Sequence, residues 1–105
     1  MRDIVILGRS RGRMNQVRRL LGSVEETRLH SAFTEAEALR TIDAVEDLGV
    51  VLLGGATSNA TRQRIRAHLA AHHPGIQTSE PGRQYRYSDA GIVADVRKKL
   101  AATRP

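Results

Sequence analysis

The chain has 105 residues, enough for one domain, with 17 Lys and Arg against 11 Asp and Glu for a net charge of +6. Hydrophobic residues make up 40% but aromatics only 3%, so any core is aliphatic, and the lack of cysteine excludes disulfides, a thiolate nucleophile and a Cys-based zinc site. No apolar run approaches the ~18 residues of a membrane span, and the opening MRDIVILG is too short for a signal peptide. A cytoplasmic protein is the expectation.

Residues 4–7 (Ile-Val-Ile-Leu) form a continuous β-branched run closed by Gly8, the pattern of a strand buried on both faces of a parallel sheet. A helix is expected over 12–21, with Met14, Val17, Leu20 and Leu21 on one face, Arg13, Gln16, Arg18 and Arg19 toward water, and Gly22 as its stop. Residues 27–33 read as a strand through Leu29, Ala32 and Phe33. Thr34-Glu35-Ala36-Glu37 then carries a capping-box pattern, and Leu39, Ile42 and Val45 continue the buried face of a second helix. Asp47, Leu48 and Gly49 are expected to turn the chain into residues 50–53 (Val-Val-Leu-Leu), the clearest strand, which ends at Gly54 and Gly55.

A third helix begins near Ser58 or Asn59 and runs to His72, with Ile65 and Leu69 inward and Arg62, Arg64 and Arg66 outward, until Pro74-Gly75 stops it. Residues 76–78 form a short peripheral strand. Residues 80–87 are polar and irregular around Pro81-Gly82, with 85–87 a candidate fifth strand. A last helix starts near Ser88 or Asp89, buries Ile92, Val93, Val96 and Leu100, and closes on Arg97-Lys98-Lys99, cations suited to a helix C-terminus, before a loose tail over 101–105. The β-α-β-α-β-α-β-α order predicts an α/β three-layer sandwich: a short parallel sheet of four, or five, strands in the order 2-1-3-4, with helices on both faces.

In such a sheet a ligand sits beyond the strand C-termini where the winding reverses, here between Gly8 and Gly54. Two loops meet that expectation. Gly8-Arg9-Ser10-Arg11-Gly12-Arg13 opens a helix whose N-terminus favours anions, and its three arginines could clamp a phosphate or simply face water. Its spacing is neither a dinucleotide fingerprint, which needs glycine where Ser10 and Arg13 stand, nor a P-loop. Gly54-Gly55-Ala56-Thr57-Ser58 could supply the opposite rim of a polar pocket, or be a glycine turn with an ordinary cap.

His68 and His72, one helical turn apart, could share a metal, but no Asp, Glu or Cys follows nearby to complete a site, so no metal is expected. His30 reads as a strand residue. None of the eleven acids falls in the two loops and no G-x-S-x-G elbow occurs, so neither a catalytic residue nor a cofactor is expected.

Residues 4–7, 34–39 (TEAEAL), 50–53 and 62–76 (RQRIRAHLAAHHPGI) together resemble the receiver domain of two-component response regulators, a flavodoxin-like fold. The resemblance stops at the chemistry. Gly8 and Arg9 stand where receivers carry an acidic pair, Gly54 matches the phosphoacceptor aspartate, and the Lys-Pro pair near the last strand is missing. It therefore implies a non-catalytic regulatory or protein-interaction domain that is not phosphorylated on aspartate.

Three functions remain open. The first is association with a second copy as a homodimer, or with another protein, using residues 82–87, which hold both tyrosines. The second is binding of a nucleotide or phosphorylated metabolite by the two loops. The third is nucleic-acid association driven by charge alone.

Overall fold

The computed structural model describes residues 1–103. Strands β1 (Arg2–Leu7), β2 (Thr27–Ala32), β3 (Leu48–Leu53) and β4 (Gln77–Ser79) alternate with helices α1 (Arg11–Leu21), α2 (Glu35–Ala44), α3 (Asn59–His72) and α4 (Asp89–Ala102). All the strands pair in parallel, in the order β2-β1-β3-β4. The two apolar runs read from the sequence thus lie at the centre, where a strand buried on both faces needs side chains without polar atoms.

Alternation along the strands sends successive side chains to opposite faces and makes two cores. Ile4, Ile6, Val50 and Leu52 pack with Met14, Val17 and Leu21 of α1 and Ile92, Val96 and Leu100 of α4. Val5, Leu7, Val51 and Leu53 pack on the other face with Ala38 and Ile42 of α2 and Ile65 and Leu69 of α3. Each helix has a Ser or Thr N-cap, namely Ser10, Thr34, Ser58 and Ser88, whose hydroxyl accepts the amide of the residue three positions on.

Several boundaries differ from expectation. Leu48 and Gly49 open β3 instead of turning, because the Asp47 carbonyl takes the Asp3 amide and starts the ladder early. β2 stops at Ala32, β4 starts at Gln77, and Val45 caps α2 rather than extending it. α1 begins at Arg11 because Ser10 is its cap. No fifth strand forms among the described residues: residues 80–87 hold only an isolated bridge between Pro81 and Tyr85, with Gly82 at φ +83° in the turn between them. Of the expected tail, Ala101 and Ala102 complete α4, and Arg104 and Pro105 lie outside the described residues.

Two cations are placed differently from the sequence reading. Arg62, expected outward on α3, is 1% exposed, and Lys99, expected in the basic run that suits the α4 C-terminus, is 8% exposed. Arg62 donates to Glu80 at 2.8 Å, to the Gly54 carbonyl at 2.8 Å and to the Thr57 carbonyl at 3.0 Å. Lys99 donates to the Thr78 carbonyl at 2.6 Å, to Gln84, and to Asp95 at 2.8 Å. Glu80, fully buried, also accepts from Arg66, Thr78 and Gln84, so residues 80–84 are held down on β4 and α3 by charge rather than by a strand ladder. No helix among the described residues is long and apolar enough to cross a membrane.

Candidate functional site

Parallel strands deliver every following helix N-terminus to the same end of the sheet, the end of Leu7, Ala32, Leu53 and Ser79. Gly54 donates its amide to the Leu7 carbonyl at 2.9 Å, so the loops leaving β1 and β3 lie against each other. A Cβ on Gly54 would stand 3.1 Å from that carbonyl oxygen, which explains why glycine occupies the crossing.

Two openings flank the crossing. On the α1/α4 side is a narrow crevice of about 50 Å³, bordered by Gly8, Arg13, Gly54, Gly55 and the newly found Pro81 and Tyr87. On the α2/α3 side is a wider hollow of about 280 Å³, lined by Gly8, Arg9, Thr57 and Ser58 together with Phe33, Thr34, Glu35 and Thr61. The expected residues are therefore divided between two hollows that share Gly8. Ser10 is used as the α1 cap, Gly12 faces open space, and Arg11 lies over the Phe33 ring at 5.7 Å. Ser58 is engaged by the amide of Thr61, as a cap.

The rim is not free of acid, contrary to the sequence reading. Glu35 lines the wider hollow, where its carboxylate accepts from Arg64 at 2.7 and 2.8 Å and from the Thr61 hydroxyl at 2.8 Å. The Arg64 and Thr61 hydrogen bonds hold its pKa down at about 2. Glu35 and Thr34 could have been located from the strand order alone, because α2 follows β2 and must begin at this end. Tyr87 left no comparable trace: it arrives from an irregular segment and stands with its ring 5.0 Å from the Arg13 guanidinium.

Charge is unequal among the four helix starts. α2 and α4 carry acids in the first turn (Glu35 and Glu37; Asp89), whereas α1 and α3, the two that follow the central strands, carry none. Neither α1 nor α3 thus carries an acid in its own first turn, although α3 meets the Glu35 carboxylate through the Thr61 hydroxyl, with Arg9 lining the same hollow. Arg13 Nη2 is withdrawn from solvent and meets no acceptor among the described residues.

A second polar cluster sits at the opposite end of the sheet. Asp3, 1% exposed, accepts from His30 at 2.8 Å, from Arg28 at 3.0 Å and from the Asp47 amide at 3.0 Å, beside an open hollow of about 470 Å³. Burial opposes its ionisation, but the His30, Asp47 and Arg28 bonds prevail and keep its carboxyl below the usual range. His30 is a strand residue, as expected, and is in addition a partner of a buried carboxylate.

Comparison of the chain with protein-family models, with curated proteins and with solved structures gave no match. What the coordinates define is a class, a four-stranded parallel α/β sandwich with a polar, arginine-bearing rim at its switch point.

Proposed function

We propose that the chain is a non-catalytic, receiver-like binding module that takes a phosphate-bearing small molecule where the loops after β1 and β3 meet. The observation that carries this reading is the pair of adjacent helix N-termini without acids in their own first turns, with Arg9 in the hollow beside them. Backbone amides and guanidinium groups at one point form an anion site of the kind parallel α/β sheets use. The phosphate sits between Gly8, Arg9 and the start of α3. Thr34 and Glu35 face the rest of the ligand across the hollow. An ionised Glu35 accepts hydrogen bonds from ligand hydroxyls and has no proton to give, which favours binding over acid catalysis.

A thermal-shift and calorimetric panel of inorganic phosphate, sugar phosphates and nucleotides tests the site. A ligand at a hundred times its Kd stabilises the protein by about 2.7 kcal/mol. Arg9→Ala is expected to weaken that ligand by about ten- to a hundredfold, since a charge-assisted hydrogen bond contributes roughly 1.5–3 kcal/mol. An equal shift in the variant, or a panel without any shift, refutes the reading.

A second reading, association with another protein or with a second copy, has one specific support: Tyr87 is 47% exposed with Arg13 against it, a combination common in interfaces. Among the described residues only Met1 and Tyr87 are large and apolar yet exposed, so a dimer of this chain would be mostly polar. Light scattering on a dilution series is expected to show a dimer that Tyr87→Ser shifts to monomer. A mass of one chain throughout the series rejects it.

A further inference from the structure

We infer that Asp43, His68 and His73 form a binding site for a divalent transition-metal ion of the Zn²⁺ type, bridging the C-terminal ends of α2 and α3. The sequence offers a His pair and no acid within a turn of it. Folding supplies the acid from 25 residues earlier, because Ile42 of α2 and Ile65 and Leu69 of α3 pack in the same core and set the polar sides of the two helices against each other.

The three ligand atoms all lie within 4.8 Å of one another. The Nε2 atoms of His68 and His73 each lie 2.8 Å from the same Asp43 oxygen, Oδ1. In a tetrahedral zinc site, bonds of about 2.0–2.1 Å put neighbouring ligand atoms about 3.3 Å apart. Accepting an ion therefore requires each His–Asp43 separation to lengthen by about 0.5 Å and the two Nε2 atoms, within 4.8 Å of each other, to take up the same spacing, which the ends of three side chains must provide. The imidazoles are about one-fifth to one-quarter exposed and Asp43 about half, so the ion has an open approach and water can fill the fourth position.

The donor set decides the class of ion. Two imidazole nitrogens and one carboxylate oxygen suit Zn²⁺ and its first-row neighbours, whereas Mg²⁺ and Ca²⁺ want oxygen all round. To bind the ion each imidazole presents the Nε2 lone pair and keeps its single remaining proton on Nδ1, so a neutral Nε2–H form moves its proton to Nδ1 through water and only an imidazolium releases one to solvent, while the carboxylate changes only its partner. His72, the residue the sequence pairs with His68, stacks on it with ring centroids 4.6 Å apart but does not belong to the ligand set.

Calorimetric titration of the full chain with Zn²⁺ near neutral pH, and visible absorption with Co²⁺, tests the assignment. The expected result is one ion per chain and the strong d–d bands of a four-coordinate Co²⁺, with Mg²⁺ failing to compete. Asp43→Asn, His68→Ala and His73→Ala should each weaken Zn²⁺ at least tenfold, while His72→Ala changes it less than twofold. Circular dichroism on each variant verifies the fold, which substitutions at these partly exposed positions leave intact. Three results overturn the site: wild-type protein that binds Zn²⁺ no better than the triple variant, affinity that survives Asp43→Asn and His73→Ala, or a loss in His72→Ala equal to theirs.

Discussion

Glu80→Gln is expected to cost about 3–5 kcal/mol, the loss typical of breaking a buried ion pair from one side. The amide keeps the shape of the side chain but removes the charge that faces Arg62, 2% exposed in its side chain, and Arg66. A domain of this size has about 5–15 kcal/mol of total stability, so this single change removes a large share of it. The melting temperature should fall by roughly 15–30 °C. Urea denaturation measures the loss directly, and a change below about 1 kcal/mol would mean that the guanidinium groups relax into water.

The same carboxylate sets part of the acid response. Burial pushes its pKa up, but Arg66, Thr78 and Arg62 together bring it below the ordinary glutamate range. The folded pKa is thus lower than the unfolded one, so the unfolded chain takes up the proton first. The resulting stabilisation is complete above the unfolded value, about 4.3, and disappears as pH falls through the folded one. Glu80→Gln should flatten the acid side of a stability-against-pH curve without abolishing it, because Asp3, Glu35 and Asp43 are depressed in the same direction.

Arg62→Met produces a different effect at the same network. The methionine fills the space of the stem, and Glu80 keeps Arg66, Thr78 and Gln84. What is lost is the tie from the guanidinium to the Gly54 and Thr57 carbonyls. We expect a cost of about 3 kcal/mol from the charge-assisted bonds. Hydrogen exchange should speed up at the amides of residues 55–58, because the loop then rests only on its own turn, Thr57 N–H to the Gly54 carbonyl at 3.0 Å. Unchanged protection there would show that the turn suffices and that Arg62 serves Glu80 alone.

At Arg62 helical spacing outweighs residue type. The residue precedes Ile65 by three positions and Leu69 by seven, which places it on the buried face of α3. Lys99 follows Val96 by three and Ile92 by seven on α4 in the same way. For Arg62 residue type argued for solvent, and for Lys99 the helix C-terminus already accounted for the charge, yet at both positions spacing prevailed because a carboxylate or carbonyls waited inside. Glu80 had no such signal, since its partners come from 14 and 18 residues earlier.

The strand order 2-1-3-4 was legible because residues 4–7 and 50–53 are too apolar to stand at an edge. That order brought the loops at Gly8 and Gly54 together, and with them half of the candidate rim. The other half, Phe33 to Glu35 and Thr61, follows from topology rather than from motif, as every parallel strand ends on the same side. Of the Asp43, His68 and His73 group, His68 was legible as one of a helical histidine pair, whereas Asp43 was not, because its place depends on how two helices are rotated against each other.

The two flanks of the sheet govern what this protein does in crowded solution. β2 presents its open edge with Arg28 and His30 both drawn toward Asp3, and β4 is only three residues long. A neighbouring chain that tried to add a ribbon would bury charge on one side and find too few amides on the other. Both edges of the sheet are thus expected to resist growth into fibrils, by unlike means.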